Sequence, residues 1–367
     1  MQKKKIDVFK FTPLSAELAK KKKKIMSNPV TQIDVSKPTS IADLVESFGG
    51  MSIQARNIGA CAEVLKNMYN DKDRPTVMLG LAGPLIAGGL RKVIRDFVAA
   101  GLVDVIVSTG AIIYQDIYQA RGYKHSRGNP DADDAELRDM WIDRIYDTYV
   151  DEDKFWETDC WIGKFSDSLE PGSYSSRAFL QELGSRLLDD EESILYTATK
   201  LGIPVFCPAL NDSSLGIGLT EHYHRKTLEG RKGIAIDSIR DNYELTQIVI
   251  NSNKTAAIYV AGGVPKNYIN DSVVMGYIFN RETGGHTYAI QVTTDVPHWG
   301  GLSGSTLKEA TSWGKINRKA TRAMAFVEPT VSLPLLVGYC LERDLQQGRK
   351  RIKLDWDRDK LKSIKFA

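Results

Sequence analysis

Hydrophobic and polar positions along the chain follow two different periods. Residues 40–48 and 53–68 place apolar side chains at helical spacing, so each stretch predicts an amphipathic helix. Residues 76–81 (TVMLGL) are instead a short, almost continuous apolar run, which is typical of a buried strand. We therefore expect two helices ahead of the first strand.

Strands and helices alternate from this point onward. Residues 85–99 predict a helix and residues 103–108 a strand. Further on, we predict helices at 179–188 and 193–201 and strands at 204–208, 256–261 and 288–292. Such alternation indicates parallel strands joined by helical crossovers. The expected fold class is α/β: a doubly wound, mostly parallel sheet flanked by helices, of Rossmann-like type.

Charge and composition divide the chain into three parts. The first 30 residues hold nine lysines and two acidic residues, Asp7 and Glu17, which gives this segment a charge of +7. The whole chain has a net charge of +3, so the remaining residues carry −4 (3 − 7). We predict a basic, mobile arm over 1–34, a single catalytic domain over 35–345 with a loop-rich insertion near 121–175, and a charged tail over 346–367. The lysine run at 20–24 lacks interleaved aromatic residues, so a solvated arm is favoured over nucleic-acid binding.

Overall composition is that of a globular protein. Of 367 residues, 42% are hydrophobic and 26% are charged, and no long apolar segment predicts a membrane span. Four widely separated cysteines predict a reduced, cytoplasmic protein. The pair His222 and His224 has no third ligand at a supporting spacing, so we predict no metal site.

Polar or glycine-rich segments follow four of the predicted strands. They are residues 108–111, 211–214, 262–266 and 293–295. In open parallel sheets ligands bind beyond the carboxyl ends of the strands, where loops and helix N-termini expose backbone N–H groups. The pattern therefore predicts one shared cleft.

The first strand is not followed by the usual dinucleotide fingerprint. Residues 80–89 read GLAGPLIAGG instead of GxGxxG. Small residues here would let the backbone approach a pyrophosphate, but glycine also simply ends strands and opens helices. Both interpretations stay open at this position.

A carboxylate, an indole and an amine lie close together near residue 310. Residues 306–309 fit a capping box, in which Glu309 only ties down the first helical turn. Trp313 follows four residues later on the same helix face, and a carboxylate beside an indole suits an alkylammonium ion. Lys315 adds a nucleophile, and apolar neighbours such as Trp313 and Ile316 favour the neutral form that attack on an imine requires. The alternative is an ordinary surface lysine.

Residues 309–316 (EATSWGKI) closely resemble the catalytic signature of deoxyhypusine synthases, in which the lysine carries a covalent imine. Supporting similarities follow in the same order at 53–59, 103–110, 204–216 and 262–266. The resemblance covers roughly residues 35–340 and implies the deoxyhypusine synthase fold.

The resemblance implies NAD as cofactor and transfer of an aminoalkyl group through an imine on Lys315, with Trp313 and Glu309 binding the amine. It also implies a homotetramer with active sites at subunit interfaces. The NAD contacts that it implies are Gly83, Pro84, Thr109, Gly110, Ala111, Gln115, Asp212, Gly262, Thr294, Asp295 and Glu328.

This chain departs from the family where the substrate is held. Ile217 and Leu302 stand where the family has acidic residues, Asn267 replaces a histidine, and Gln115 replaces a glutamate near the cofactor. Losing one charge-assisted partner of an ammonium group costs about 1.5 to 3 kcal/mol. We therefore expect a donor other than spermidine, with His298, Trp299 and Asp295 supplying alternative contacts.

The leading hypothesis is a transferase that moves an aminoalkyl group between small amines, for instance in homospermidine formation in polyamine metabolism. A genuine deoxyhypusine synthase, which modifies a lysine of a translation initiation factor from spermidine, is the first alternative, so a protein acceptor stays open. An NAD-binding protein without turnover and an ordinary dehydrogenase are the others.

Overall fold

The computed structural model describes residues 12–36, 40–187 and 190–367. The strands are β1 Thr76–Leu81, β2 Val105–Ser108, β3 Ser126–Arg127, β4 Ile142–Ile145, β5 Thr148–Asp151, β6 Gly172–Tyr174, β7 Val205–Phe206, β8 Ile234–Ile236, β9 Thr255–Val260, β10 His286–Val292, β11 Ile316–Ala325, β12 Ile352–Asp357 and β13 Lys360–Phe366. The helices are α1 Ala16–Ile25, α2 Ile41–Phe48, α3 Ile53–Tyr69, α4 Arg91–Ala99, α5 Gly110–Ala120, α6 Asp134–Asp139, α7 Glu152–Asp167, α8 Ser176–Gly184, α9 Ile194–Leu201, α10 Ser214–Leu228, α11 Ser238–Asn251, α12 Gly263–Ile278, α13 Leu307–Ser312 and α14 Pro329–Glu342.

Six strands form the central sheet in the order β7-β2-β1-β9-β10-β11. Every neighbouring pair is parallel, and Leu79 of β1, for example, lies between Ile106 of β2 and Ile258 of β9. The chain runs outward from β1 to β7 and then returns to build the other half from β9 to β11. The order therefore reverses between β1 and β9, as in doubly wound dinucleotide-binding sheets.

Helices cover both faces of this sheet, which confirms the predicted fold class. Alternate residues of β1 face opposite sides: Val77 and Leu79 belong to one apolar core, and Met78 to the other. All six residues of β1 are buried. Strands buried on both faces are continuously apolar in sequence, which is why β1 could be predicted from its run of hydrophobic residues.

Two elements differ from the sequence-based prediction. The helix expected from residue 85 begins at Arg91, because residues 83–89 form a turn in which Gly83 and Gly89 have φ of +87° and +86°. Strand β11 was not predicted. It is the outermost strand beside β10, it is only partly buried, and polar residues such as Arg318 and Lys319 break its apolar pattern. The helix predicted to end at 188 ends at Gly184, and residues 188–189 lie outside the described residues.

The insertion and the two ends have their own secondary structure. Residues 121–175 contain a three-stranded antiparallel sheet in the order β3-β5-β4, together with α6 and α7. The predicted charged tail contains the antiparallel hairpin β12–β13, and the guanidinium of Arg177 lies 4.2 Å from the ring centroid of Trp356 in this hairpin. In the predicted arm, α1 has no buried residue, and residues 1–11 lie outside the described residues.

Among the residues that the structure describes, no helix is long and apolar enough to cross a membrane. The same residues include no group of three His, Cys, Asp or Glu side chains placed to hold a metal ion. His222 is buried and its Nδ1 lies 2.9 Å from Asp167 Oδ1. The cysteines are free, with Cys160 exposed and the other three buried.

Candidate functional site

The predicted strand-end segments lie along one edge of the sheet. Backbone hydrogen bonds connect each strand end to the next: Thr109 N–H donates to Leu81, Ala82 to Val260, Ala261 to Val292 and Thr293 to Ala325, all at 2.8–3.1 Å. The loops after β1 and β9 flank the point where the strand order reverses. In open α/β sheets this crevice is where ligands bind.

Glycines at this edge allow a close approach of backbone segments. A Cβ at Gly262 would lie 2.5 Å from the Ser303 Cα, and a Cβ at Gly110 would overlap the hydroxyl of Ser213. At Gly83, by contrast, no atom would lie closer than 3.9 Å to an added Cβ, so its surface is open. The open surface at Gly83 lets a phosphate group approach the backbone closely, so the residues present fit a dinucleotide.

The loop after β1 borders a cavity of about 700 Å³. Its lining includes Pro84, Gly88, Gly89, Arg127, Glu328 and Thr330. The exposed Glu328 caps α14, and its carboxylate accepts the Thr330 N–H at 2.8 Å. Gln115 is buried behind the loop, where its Oε1 accepts the Ala87 N–H at 3.2 Å. Glu328 is therefore placed on the cavity wall, whereas Gln115 supports the loop from behind.

The remaining predicted cofactor residues follow β2, β7 and β10. Thr109 is the N-cap of α5 but its hydroxyl makes no capping bond, and Gly110 and Ala111 supply the first N–H groups of this helix. Asp212, Thr294 and Asp295 are exposed, and the Asp295 N–H donates to Thr293 Oγ1 at 3.1 Å.

The Lys315 side chain contacts two polar side chains of α12. Its Nζ is 3.0 Å from Asp271 Oδ1 and 3.3 Å from Asn267 Oδ1, and it lies 5.5 Å from the ring centroid of Trp313. Asn267 Nδ2 donates to the second Asp271 oxygen at 2.8 Å. Sequence reasoning did not single out Asp271, although it follows Asn267 by four residues and so shares its helix face.

The backbone of Lys315 lies at the amino ends of the strands. Its carbonyl accepts the His286 N–H at 3.0 Å, where β10 begins, and β11 starts at the next residue. The side chain therefore extends along α12 towards Asn267, which lies in the first turns of that helix, directly after β9. Ile316 is buried in the core, whereas Trp313 is 68% exposed, so only Ile316 belongs to an apolar wall.

Glu309 forms the capping box that its sequence pattern predicts. Its N–H donates to Thr306 Oγ1 at 3.0 Å, and its carboxylate accepts the Thr306 N–H at 3.4 Å. The side chain nevertheless stays exposed on α13. A capping role therefore leaves its negative charge available to a ligand.

Lys266 is a second lysine of this region that sequence reasoning did not select as a site residue. It is 1% exposed, and its Nζ donates to the carbonyls of Leu302 and Ser305 at 3.2 and 2.6 Å. Burial lowers the pKa of Lys266 to about 8; the nearby Glu309 carboxylate opposes this shift, and the charge of Lys315 adds to it. Its position in the GGVPK run, directly before Asn267, was the available signal.

The predicted substrate-binding residues fall into two groups. Leu302 is 40% exposed in the loop held by Lys266, and His298 and the 84% exposed Trp299 form a 3-10 turn just before it. Ile217 lies on α10, which follows β7, at the opposite side of the sheet from β11. Five strand spacings separate these outer strands, about 24 Å.

Fold and site together define the class of protein. The sheet has the strand order of doubly wound α/β folds, with an open glycine loop at its switch point and a lysine beside carboxylate and indole groups. A sequence model of deoxyhypusine synthase matches residues 43–340, and the chain belongs to this family.

Similar proteins support the assignment. A deoxyhypusine synthase-like protein of Chlorobaculum tepidum is 42% identical over 91% of this chain and 95% of its own length. A protein of Methanosarcina mazei named probable deoxyhypusine synthase 2 is 38% identical over 90% and 95%. The crystal structure of a protein assigned as a deoxyhypusine synthase from Entamoeba histolytica covers 84% of this chain and 96% of its own, with a TM-score of 0.57 and 19% identity, and shows the same fold.

Proposed function

We propose that the protein is an NAD-dependent aminoalkyl transferase that acts on small amines through an imine on Lys315. The observation that carries the proposal is the contact of Lys315 Nζ with Asp271, Asn267 and the indole of Trp313. An amine nucleophile held among polar groups beside an aromatic face suits capture of a carbon that bears nitrogen.

Each residue of the cluster has a distinct task in this proposal. Glu309 and Trp313 bind the substrate ammonium by charge and by cation–π contact. The loops that carry Gly83, Gly262 and Glu328 would hold NAD. When bound, NAD supplies the oxidation that makes the carbon beside nitrogen electrophilic and the reduction that completes the product. Lys315 holds the aminoalkyl group between donor and acceptor.

The altered pocket supports a short amine as substrate. Leu302 and Ile217 bring no charge to positions where the family has acidic residues, and both are more than a third exposed. An amine with fewer charged nitrogens than spermidine has less need of those carboxylates. Homospermidine formation from a diamine is the reaction that we propose.

Assembly into a homotetramer in the cytoplasm is part of the proposal. Ile217 and Lys315 lie on opposite sides of one chain, so a site that contains both requires a second copy. Exposed Trp299 and Trp313 supply apolar surface that a second copy would cover. Sedimentation that shows only monomers at working concentrations would refute this element.

The test is borohydride trapping with NAD and a panel of labelled diamines and polyamines, followed by peptide mass mapping. We expect label on Lys315 with at least one diamine, and none in Lys315→Ala. Lys308→Ala, which removes an exposed lysine on α13, is the matched control and should label normally. Wild type that is unlabelled by every amine, despite measurable NAD binding, would favour a binding protein.

A second candidate is a genuine deoxyhypusine synthase, which the name of the Methanosarcina mazei relative favours. Product analysis with and without a protein acceptor separates the two. Transfer of label to a lysine of that protein would establish this candidate. Net accumulation of NADH would instead indicate an ordinary dehydrogenase.

A further inference from the structure

We propose that Asp271 is the proton carrier for amine exchange on Lys315. The inference rests on the proposed function and adds a catalytic residue to it. A carboxylate that touches the nucleophile directly, and is itself oriented by a neighbouring amide, is placed to take a proton from the attacking nitrogen and return it to the departing one.

The geometry of Asp271 suits this task. One oxygen lies 3.0 Å from Lys315 Nζ, and the other accepts the Asn267 amide at 2.8 Å. Asn267 and Asp271 share one face of α12, so the amide fixes the orientation of the carboxylate. The Asp271 side chain is 38% exposed and that of Lys315 is 16% exposed, so a substrate can reach both.

Other charged groups near Lys315 are engaged elsewhere or lie farther away. Lys266 donates to loop carbonyls, and the exposed Glu309 carboxylate on α13 is the proposed partner of the substrate ammonium. The Tyr277 hydroxyl lies 3.5 Å from the Gly314 carbonyl. Among the described residues, the carboxylate within ion-pairing distance of Lys315 is that of Asp271.

Exchange of one amine for another requires such a carrier. Once the Lys315 ammonium group has released a proton to solvent, the neutral amine attacks the protonated imine, a new C–N bond forms, the π electrons move to the original nitrogen, and Nζ is left with a surplus proton. Asp271 accepts this proton and passes it to the original nitrogen. That C–N bond then breaks as the Nζ lone pair forms the new imine. The proton and electron counts close without an oxidant.

Two variants test the role. Asp271→Asn keeps the shape and removes the base, and Asp271→Ala opens space for an added carboxylate. We expect the rate of borohydride-trappable label on Lys315 to fall about a hundredfold in both variants at saturating amine. Acetate should restore part of the rate in Asp271→Ala, in proportion to its concentration, and should leave Asp271→Asn slow. Glu282→Gln, an exposed carboxylate beyond the end of α12, is the control and should label at the wild-type rate.

The outcomes separate the two claims. The role of Asp271 is overturned, and the proposed function is left standing, if wild type is labelled and Asp271→Asn is labelled at the same rate. The same conclusion follows if acetate does not raise the rate in an Asp271→Ala protein that still binds NAD. A faster rate in Asp271→Asn would show that the ion pair only restrains the lysine. No label on wild type overturns the proposed function together with this role.

Discussion

Two regions are built in different ways: the edge of the sheet at the carboxyl ends of its strands, and the cluster of Lys315 with Asn267, Asp271 and Trp313. The edge depends on backbone: glycines such as Gly262 and Gly110 leave no room for a side chain, and their loops continue directly from buried strands. The cluster depends on side chains at the surface of α12 and α13, beside an exposed Trp313. The first region is tied to the core of the fold, whereas the second can change without disturbing it. Of the departures from the family, the one at Asn267 lies in the second region.

Lys266 joins the two regions, so its removal should have the largest effect on stability. Lys266→Met would leave the carbonyls of Leu302 and Ser305 without their donor, and we expect a loss of about 2–4 kcal/mol in the free energy of unfolding. Urea unfolding measures it. Lys308→Met, which replaces an exposed lysine, is the control and should unfold like wild type. A Lys266→Met protein as stable as wild type would show that the two regions are independent.

The pH dependence of the same variant gives a signed prediction. The pKa of Lys266 is about 8 in the folded protein, against an ordinary value of 10.5. Between these values the unfolded chain binds more protons, so this group makes wild type more stable as pH rises. The stability gap between wild type and Lys266→Met should therefore widen from pH 7.5 to pH 10. A gap that narrows over this range would contradict the assignment.

Gly262→Ala tests whether the edge is as tightly built as its contacts indicate. The new methyl group would lie 2.5 Å from the Ser303 Cα, which is backbone and cannot rotate away. We expect a loss of about 1–3 kcal/mol in stability, together with weaker NAD binding by calorimetry. Gly172→Ala is the control, because its added Cβ would meet nothing within 4 Å. Unchanged NAD affinity in Gly262→Ala would show that Gly262 does not contact the proposed cofactor.

Leu302→Asp tests the altered amine pocket. If Leu302 faces the substrate, a carboxylate there should strengthen spermidine binding by about tenfold, which is about 1.4 kcal/mol. Leu302→Asn separates charge from size and should bring little gain. Affinities for spermidine and for a diamine, measured in the presence of NAD, would show whether the preference moves. Equal gains from both substitutions would show that charge is not the cause.

Trp313→Ala should have the smallest effect on stability. The ring is 68% exposed, so we expect the free energy of unfolding to change by no more than about 0.5 kcal/mol. Loss of the cation–π contact should weaken amine binding by about two- to fivefold, whereas Trp313→Phe should retain most of it. A large loss of stability would mean that the cluster, like the edge, is part of the core.

The fold was largely predictable from sequence, and the reasons are physical. Strand β1 was found because it is buried on both faces, and the capping box at Thr306 was found because its pattern is local. Strand β11 was missed because an edge strand needs no continuous apolar run. The hairpin β12–β13 was read as a charged tail for a similar reason: its outward residues are charged, and only alternate positions such as Ile352 and Leu361 are buried.

The candidate site was predictable where it depends on motifs and not where it depends on packing. Lys315 and Asn267 were identified by resemblance, and the structure brings them together. Asp271 and Lys266 were not identified, because acidic residues and lysines on helices are usually solvated. Only the folded chain shows that one contacts Lys315 and that the other is buried beneath the Leu302 loop.

The position of Trp313 also gives the protein an intrinsic optical signal. Of the six tryptophans, Trp299 and Trp313 are the two most exposed, at 84% and 68%, and the indole of Trp313 lies over the Lys315 ammonium group. In the proposed mechanism, converting that amine to an imine changes the charge distribution beside the ring, and covering the ring removes it from water. The difference in emission and in iodide quenching between wild type and Trp313→Phe should therefore report the state of Lys315 without any added dye.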